Sequence, residues 1–367
     1  MPSFSLSAGL SLLAFAAAVS AIPAHATVNS STLERSACTS IAVKASLIKT
    51  HTTGASSDGW ALSNQLEGQA FLDFFEYELS TNDNGGIAQY VNGATSGLAY
   101  TSGSQVVLAV DDTPSASPRK AVRMHSKTTF NAKDNNLLIF DVAHIPAVCG
   151  TWPAIWLTGT DWPSDGEIDV VESVNLYTRD TYSLHTGPGC TVPASAVSAM
   201  PNVQLVEAGA TNCDATLDGG ACGFSDVSTS SFGPGFNSAG GGVFALEFAT
   251  DGIKTWFWKA GSVPTDITNL SPTPSTWAAS AARLLIPTSS CSPETYFNDL
   301  LLVVNTNLAG SWTQGVWASN NVGGQAQSCQ TQTGVSTAAG YVTAHGSAFG
   351  ASAEWVRCLP HQLICLN

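Results

Sequence analysis

The chain has 367 residues, of which 44% are hydrophobic and only 11% are charged, and its formal net charge is −14 at pH 7. This length suffices for one large domain, or two ordinary ones, with a sizeable core. The acidic balance argues against nucleic acid and anionic membranes as partners, because both are recognised by clustered lysine and arginine.

The N-terminus has the features of a secretory signal peptide. Residues 9–22 are almost wholly apolar, and Ala24-His25-Ala26 matches an A-x-A cleavage pattern. The apolar run is shorter than the roughly 20 residues that span a bilayer. We therefore expect residues 1–26 to be removed. Residues 27–367 are expected to form a single secreted, extracellular domain with an extended N-terminal segment and a short cysteine-containing C-terminal tail.

The cysteines fit an oxidising compartment, where disulfides persist. Their spacing shows no C-x-x-C pair and no histidine partner pattern, so a zinc site is not expected. Their odd number leaves at least one thiol unpaired or paired between molecules. The nine are Cys38, Cys149, Cys190, Cys213, Cys222, Cys291, Cys329, Cys358 and Cys365.

Short β-rich segments recur along the chain, separated by glycine, serine, asparagine and proline. Many short strands at this spacing predict an all-β, antiparallel sandwich or barrel. The Gly/Ser/Thr/Ala-rich stretch from about 187 to 241 is interpreted as a long, disulfide-stapled loop region. The predicted strand segments are 71–80, 121–130, 137–144, 166–173, 181–186, 300–308 and 352–359.

The clearest hairpin signal lies at residues 242–261. Two alternating aromatic runs flank Asp251-Gly252. This dipeptide suits a two-residue type I′ turn, so we predict a hairpin that turns at these two residues.

The segment DGEIDVVESVN concentrates carboxylates in an apolar stretch. Because side chains alternate along a strand, Glu167 and Asp169 share one face and the residues between them point into the core. Glu172 would then point to the apolar side, where a carboxylate is costly. A β-bulge at Val170-Val171 restores its phase. We therefore predict three carboxylates along one sheet face.

Three like charges on one face raise at least one pKa and titrate as a coupled set. One ionised and one protonated carboxyl are what glycoside cleavage requires, and a retaining enzyme holds them about 5–5.5 Å apart. The alternatives are solvated strand residues or a Ca²⁺ site. Carboxylates that alternate on a flat strand ligate Ca²⁺ poorly, so no metal is expected.

The sequence just upstream, CGTWPAIWLTGTDWPSDG, carries three tryptophans. Tryptophan faces stack on sugar rings and suit a glycan cleft. We predict that Trp152 and Trp162 line such a cleft. Trp156 also fits a core position, because apolar residues flank it. All three, together with Asn175, are our candidate substrate-binding residues.

With these residues, the chain resembles the fungal endo-1,3(4)-β-glucanases (laminarinases) of glycoside hydrolase family 16. The resemblance runs from about residue 60 to 358. Its specific feature is E-x-D-x-x-E after a tryptophan-rich strand, whereas the lichenase and transglycosylase branches have E-x-D-x-E. Further matching text is FLDFFEYELSTNDNGGIAQYVN, LHTGPGC, GGGVFALEFATDGIKTWFWKAGSVPTDI and GYVTAHGSAFGASAEW.

The resemblance implies a concanavalin A-like β-jelly-roll sandwich with a concave substrate cleft. It implies Glu167 as nucleophile and Glu172 as general acid/base, with retention of configuration. Asp169 would hydrogen-bond Glu167, and His185 matches a family histidine near the acid/base. We expect a monomer that acts on β-glucan polysaccharide with no cofactor and without nucleic acid or membrane partners.

The chain departs from these relatives in two places. Where they often carry C-G-D-W, it has Ala-Gly-Ser-Trp at residues 309–312, so Cys329 is expected to lack its usual partner. The tail CLPHQLICLN adds Cys358 and Cys365, which are expected to pair with each other or with Cys329.

Three functions remain in competition at this point. The first is an endo-β-glucanase that hydrolyses 1,3- and/or mixed 1,3/1,4-linked glucans. The second is a cell-wall glucan transglycosylase that uses the same covalent intermediate. The third is a non-catalytic glycan-binding protein on the same sandwich; the retention of Glu167 and Glu172 counts against it.

Overall fold

The computed structural model describes residues 59–81, 83–217 and 220–356, together with the backbone of Leu363–Leu366. The described residues lie in one compact unit, Thr39–Asn367. The predicted signal peptide, Cys38 and Cys358 lie outside the described residues. In the described part of the chain, no helix has both the length and the apolarity to cross a bilayer.

Strands form the framework. They are β1 Leu62–Leu66, β2 Phe75–Tyr77, β3 Ala88–Tyr90, β4 Ala99–Ser102, β5 Gln105–Leu108, β6 Arg119–Ala121, β7 Arg123–Phe130, β8 Asn136–Val142, β9 Thr151–Thr158, β10 Glu167–Glu172, β11 Thr181–His185, β12 Val203–Leu205, β13 Cys222–Asp226, β14 Gly242–Ala249, β15 Gly252–Lys259, β16 Ala282–Pro287, β17 Leu300–Leu308, β18 Trp355–Val356 and β19 Leu363–Leu366.

The helices of the described residues are short. They are α1 Gly68–Phe74, α2 Gly93–Ser96, α3 Ala194–Ser198, α4 Gly233–Ser238, α5 Thr265–Thr268, α6 Pro293–Tyr296, α7 Ser311–Gly315, α8 Cys329–Thr333 and α9 Ala338–Ala344, with 3₁₀ turns at Asp83–Gly85, Ala132–Asp134, Pro274–Thr276, Gly346–Ala348 and Ala351–Ala353.

Two large antiparallel sheets face each other. The eight-stranded cleft sheet has the order β12-β13-β11-β10-β9-β17-β7-β2, and the six-stranded outer sheet has the order β1-β19-β8-β14-β15-β16. Alternate residues of both sheets fill the space between them, including Leu157 and Leu302 from the first and Phe244 and Leu246 from the second. The predicted antiparallel sandwich of jelly-roll type is confirmed.

The central strand of the outer sheet, β14, is buried on both faces. Every residue of β14 is buried, because its opposite face contacts a second apolar cluster. That cluster contains Trp256, Trp258 and Trp277. Trp277 meets the other two rings edge-on, with ring centroids 4.8 and 4.9 Å apart, and donates its indole hydrogen to Asp266 at 2.8 Å. The nearly continuous apolar run of β14, broken only by the buried Glu247, is therefore typical of a strand covered on both faces.

The predicted strand at 71–80 is only partly correct. Its first four residues belong to α1, and only Phe75–Tyr77 is a strand. Phe71 and Phe75 lie four residues apart, and their ring centroids are 4.8 Å apart. Burial of both aromatic rings in the main core is an advantage of the helix that local β propensity does not reveal.

The 242–261 hairpin forms as predicted, but its turn differs. The last pair joins Ala249 to Gly252, so the two loop residues are Thr250 and Asp251, one position earlier than expected. Neither has a positive φ, so the turn is not type I′. Gly252 instead begins β15 with a φ of 146°, where a Cβ would lie 2.6 Å from the carbonyl oxygen of Ile286. Close approach of the next strand requires this glycine.

The stretch 187–241 is stapled as expected but is not all loop. It contains α3, α4 and the strands β12 and β13, which extend the cleft sheet. One disulfide, Cys213–Cys222, lies within it, and Cys190 is bonded to Cys291. These bonds fit the oxidising compartment inferred above.

The predicted alternative in which Cys329 pairs with a cysteine of the C-terminal tail is wrong. Cys329 is bonded to Cys149, at a sequence separation of 180 residues. Both cysteines are buried in an apolar cluster with Trp317 and Val342. Cys149 thus serves as the partner of Cys329 although position 309 is an alanine. Cys329 is therefore not available to the tail cysteines.

A buried guanidinium fastens the C-terminal helical layer to the sandwich. Arg119 has no exposed surface. It donates hydrogen bonds of 2.7–3.3 Å to four backbone carbonyls, those of Asp111, Thr113, Val342 and Thr343. Loss of the guanidinium would leave these acceptors without their donor.

We expect Arg119→Met to lower the free energy of unfolding by about 2–4 kcal/mol, because buried carbonyls lose charge-assisted hydrogen bonds. Urea denaturation monitors the change. Lys120→Met is the matched control, since this neighbouring side chain is exposed. A loss of equal size in both variants would contradict the structural role of Arg119.

Candidate active site

The bulge predicted in the carboxylate strand is present at the centre of the cleft sheet. The pairing of β10 with β9 shifts register between Asp169 and Val171, so Val170 is the extra residue. Both valines are fully buried. The shift returns Glu172 to the cleft side, where it lines the same cavity as Glu167.

His185 lies beside the first two carboxylates. It is paired with Glu167 in the register of β10 and β11. Its Nε2 is 3.8 Å from Glu167 Oε1 and 3.4 Å from Asp169 Oδ2. Its Nδ1 is 3.3 Å from the carbonyl oxygen of Gly220. A proton on Nδ1 is thus directed to the backbone, and Nε2 is directed to the carboxylates.

Glu172 is held by an indole. Trp152 Nε1 donates a hydrogen bond of 2.8 Å to Glu172 Oε1. Trp152 in turn packs edge-on against Trp312, with ring centroids 5.6 Å apart. The aromatic side of the cleft therefore orients one oxygen of this carboxyl directly.

Burial dominates the acid–base behaviour of the carboxyls. Desolvation and, to a smaller extent, the charge of Asp169 raise the pKa of Glu167 to about 8, although His185 acts in the opposite direction. Desolvation also raises the pKa of Glu172 well above its ordinary value, again with Asp169 adding to the effect. Glu167 and Glu172 therefore cannot both be fully ionised near neutral pH, and their titrations are linked.

His185 responds in the opposite sense to its neighbours. Burial alone would lower the pKa of His185, but Asp169, Glu167 and Glu172 together raise it to about 9. The imidazole is therefore a cation near neutral pH. It offsets part of the negative charge that the carboxylates bring into the cleft.

The three predicted tryptophans all line one cleft, which has a volume of about 670 Å³. Trp162 is half exposed, at 51%, and its ring centroid is 6.5 Å from that of His185. Trp156 is not in the core: it lines the cleft, and its Nε1 donates a hydrogen bond of 2.7 Å to Asn305. That these rings stack on a sugar stays a prediction.

The structure does not bring Asn175 to the cleft, and this assignment is corrected. Asn175 has no exposed surface. Its side chain accepts a hydrogen bond from the Gly150 amide and donates one to the Thr313 carbonyl. A φ of 58° places it in the left-handed region that asparagine tolerates. It ties the entry of β9 to α7.

Sequence reasoning missed the far side of the cleft. Arg123 on β7 and Asn305 on β17 line it together with Asp83. Arg123 forms ion pairs with Asp83 at 2.6 Å and Glu78 at 2.7 Å, and its guanidinium carbon lies 5.0 Å from the Trp156 ring centroid. An asparagine inside the apolar run of β17 was the available signal.

One group of side chains at this site could also gather around a metal ion. The candidate ligand atoms of Glu167, Asp169 and His185 lie within 4.8 Å of one another. A metal would require a neutral imidazole, whereas these carboxylates favour the imidazolium. The arrangement therefore suits acid–base chemistry better than metal binding.

An antiparallel sandwich with coupled carboxyls between tryptophan walls defines a carbohydrate-active β-sandwich protein. A family model described as the XgeA-like, catalytic GH16 domain matches residues 75–352. The chain belongs to glycoside hydrolase family 16, as the resemblance predicted.

Two curated fungal relatives illustrate the similarity. A probable glycosidase of Schizosaccharomyces pombe is 35% identical over 263 residues, which are 69% of this chain and 60% of the relative. An endo-1,3(4)-β-glucanase of Emericella nidulans is 30% identical over 275 residues, which are 72% of this chain and 42% of the relative. The chain thus matches only part of the length of each.

Solved structures match over a larger share. Laminarinase 16A from Phanerochaete chrysosporium, with 6-O-glucosyl-laminaritriose in donor and acceptor sites, has a TM-score of 0.71 and 30% identity, covering 84% of this chain and 99% of its own. An elongating family 16 β-1,3-glucosyltransferase has a TM-score of 0.67 and 26% identity, covering 84% and 98%.

The raised pKa of Glu167 predicts how stability depends on pH. A carboxyl with a higher pKa in the folded chain binds its proton more tightly when folded. The contribution of Glu167 to the free energy of unfolding therefore falls as pH rises from about 4.5 through about 8. We expect Glu167→Gln to raise Tm by about 2–4 °C at pH 8.5 and to change it little at pH 4.5.

Thermal unfolding of the wild type and of Glu167→Gln across this pH range measures the effect. Glu207→Gln is the control, because Glu207 is exposed. A Tm difference for Glu167→Gln that does not depend on pH would show that Glu167 carries no burial penalty.

Proposed function

We propose that the chain is a secreted, endo-acting β-glucanase that hydrolyses 1,3- and/or mixed 1,3/1,4-linked β-glucans with retention of configuration. The observation that carries this proposal is the bulged β10 strand, with Glu167 and Glu172 on one cleft wall. The family membership supports glycosidic bond cleavage. The names of the relatives support β-glucan as the polysaccharide partner.

Glu167 is the nucleophile in this proposal. Its carboxylate would attack the anomeric carbon and form a covalent glycosyl-enzyme. The His185 cation, 3.8 Å from Oε1, partly opposes the burial that raises the pKa of Glu167, and so favours the ionised form that the attack requires. Asp169 lies between the two glutamates, almost fully buried, and holds His185 beside the nucleophile.

Glu172 is the general acid and base. Because its raised pKa retains a proton, it can protonate the departing glycosidic oxygen. After departure it is the base that removes a proton from water, and that water breaks the glycosyl-enzyme with net retention. The indole of Trp152 occupies Oε1, which leaves Oε2 for proton transfer.

The remaining features of the proposal concern the partner and the compartment. Trp152, Trp156 and Trp162 provide apolar faces for sugar rings. The disulfides support an extracellular site of action. We expect residues 27–367 to act as one catalytic domain and as a monomer, without a cofactor and without nucleic acid or membrane partners.

A glucan transglycosylase is the second candidate. The similarity to an elongating β-1,3-glucosyltransferase favours it. Both reactions share the glycosyl-enzyme and differ only in whether water or a sugar hydroxyl resolves it.

We expect cleavage of laminarin, lichenan or both, and none of cellulose or galactan. Sizing of the products by chromatography tests this, with mid-chain fragments as the endo-acting signature. Products longer than the supplied oligosaccharide, at high oligosaccharide concentration, would favour the transglycosylase. Binding without cleavage of any of the four would refute both enzyme functions.

Alanine substitutions of Glu167 and Glu172 should impair the reaction in different ways. Glu167→Ala should abolish turnover, whereas Glu172→Ala should reduce polysaccharide cleavage by about 10²–10⁴-fold and affect activated aryl glycosides less in the first step. Azide added to Glu172→Ala should replace the base-activated water and give a β-glycosyl azide, which is detected by NMR. Glu207→Ala is the control.

An α-glycosyl azide from Glu172→Ala would instead reverse the two roles. Full activity in either variant would remove β10 from the mechanism.

A further inference from the structure

The backbone of Glu172 needs a partner that the sheet does not supply. Pairing of β10 with β11 ends at Asp169, opposite Ser183. Beyond the bulge, the Glu172 amide therefore has no ladder partner on that side. It donates instead to a side chain: Asp180 Oδ1 accepts from the Glu172 amide nitrogen at 2.9 Å.

Asp180 lies inside the sandwich and not on its surface. It has no exposed surface, and its own amide donates to Ser231 Oγ at 3.0 Å. Its second oxygen, Oδ2, is buried without a hydrogen-bond partner among the described residues. A buried carboxyl with one free oxygen calls for a reason, since such groups are costly.

The charged and titratable groups that face Asp180 leave it little compensation. On β13, Asp226 adds a like charge. The guanidinium of Arg283 on β16 is bound to Asp226 at 2.5 Å, and Tyr182 on β11 donates to Asp226 at 3.2 Å. Burial therefore raises the pKa of Asp180 well above its ordinary value. The charge of Asp226 adds to this, and the backbone amides of Glu172 and Thr181 and the Tyr182 hydroxyl lower it only in part.

We propose that Asp180 is a positioning residue for the acid/base glutamate: its carboxyl fixes the Glu172 backbone at the end of the bulge, and thereby the direction of the Glu172 side chain. Glu172 is then held at both ends, by Asp180 at its amide and by Trp152 at its carboxyl oxygen. The inference rests on the proposed role of Glu172.

Two variants separate positioning from charge. Asp180→Asn retains a neutral carbonyl oxygen that can accept the same hydrogen bond, so kcat should stay within about threefold of wild type. Asp180→Ala removes the acceptor. For polysaccharide, kcat should then fall by about 10–100-fold with little change in KM, because proton transfer is misaligned.

The dependence on the leaving group distinguishes positioning from general destabilisation. In Asp180→Ala, the rate of the first step should fall more for poor than for activated leaving groups. The limb of the pH–rate profile that reports the ionisation of Glu172 should also shift. Ser231→Ala is the matched control, because it removes the hydrogen bond to the Asp180 amide and leaves the acceptor of Glu172 in place. It should lower Tm without changing the leaving-group dependence.

A separate measurement covers the case in which Asp180→Ala does not fold. Hydrogen exchange at the Glu172 amide should be slow in wild type and equally slow in Asp180→Asn. Fast exchange in wild type would overturn the proposal, as would wild-type kcat and leaving-group dependence in Asp180→Ala. Absence of glucan cleavage by the wild-type protein would instead refute the proposed function itself.

Discussion

The bulge at Val170 is the constraint on which the cleft depends. In an unbroken strand, Glu172 would point between the two sheets, where a carboxyl without partners is strongly disfavoured. One additional residue buries two successive valines and returns the glutamate to the opposite face. After the bulge the strand remains paired with β9, but its pairing with β11 ends at Asp169, so on that side the Glu172 amide is bound by the Asp180 side chain.

The electrostatics of the cleft follow from packing ionisable groups onto a sheet that is already buried. Desolvation, and not mutual repulsion alone, keeps protons on the carboxyls. The one cation among them, His185, has its ring oriented by the backbone carbonyl of Gly220. That carbonyl belongs to a short loop closed by the Cys213–Cys222 disulfide, so a covalent staple supports the orientation of the imidazole.

Short β-rich runs and the alternation of side chains along strands predicted much of this molecule. The run at 300–308 matches β17 without adjustment, and the carboxylate phase in β10 required the bulge that the structure contains. Predictions failed where distant residues decide the outcome. The helix at 68–74 depends on packing against the core, and the burial of Asn175 depends on α7, far along the chain.

The sequence analysis missed two residues of the cleft for a similar reason. Arg123 and Asn305 meet only because β7 and β17 are neighbours in the sheet. A single sequence does not contain the pairing of strands so far apart. Local patterns therefore predicted the strand that carries the glutamates, but not the polar side of the cleft opposite to it.

The placement of the tryptophans has an optical consequence. Four of the ten line the cleft, whereas Trp256, Trp258 and Trp277 are buried together on the far side of the outer sheet. Cleft indoles contact water and emit at longer wavelength than those in an apolar cluster. A sugar in the cleft would perturb mainly the red edge of the fluorescence, and loosening of the outer layer would shift mainly the blue edge. The protein thus carries two built-in spectroscopic reporters on opposite sides of one sandwich.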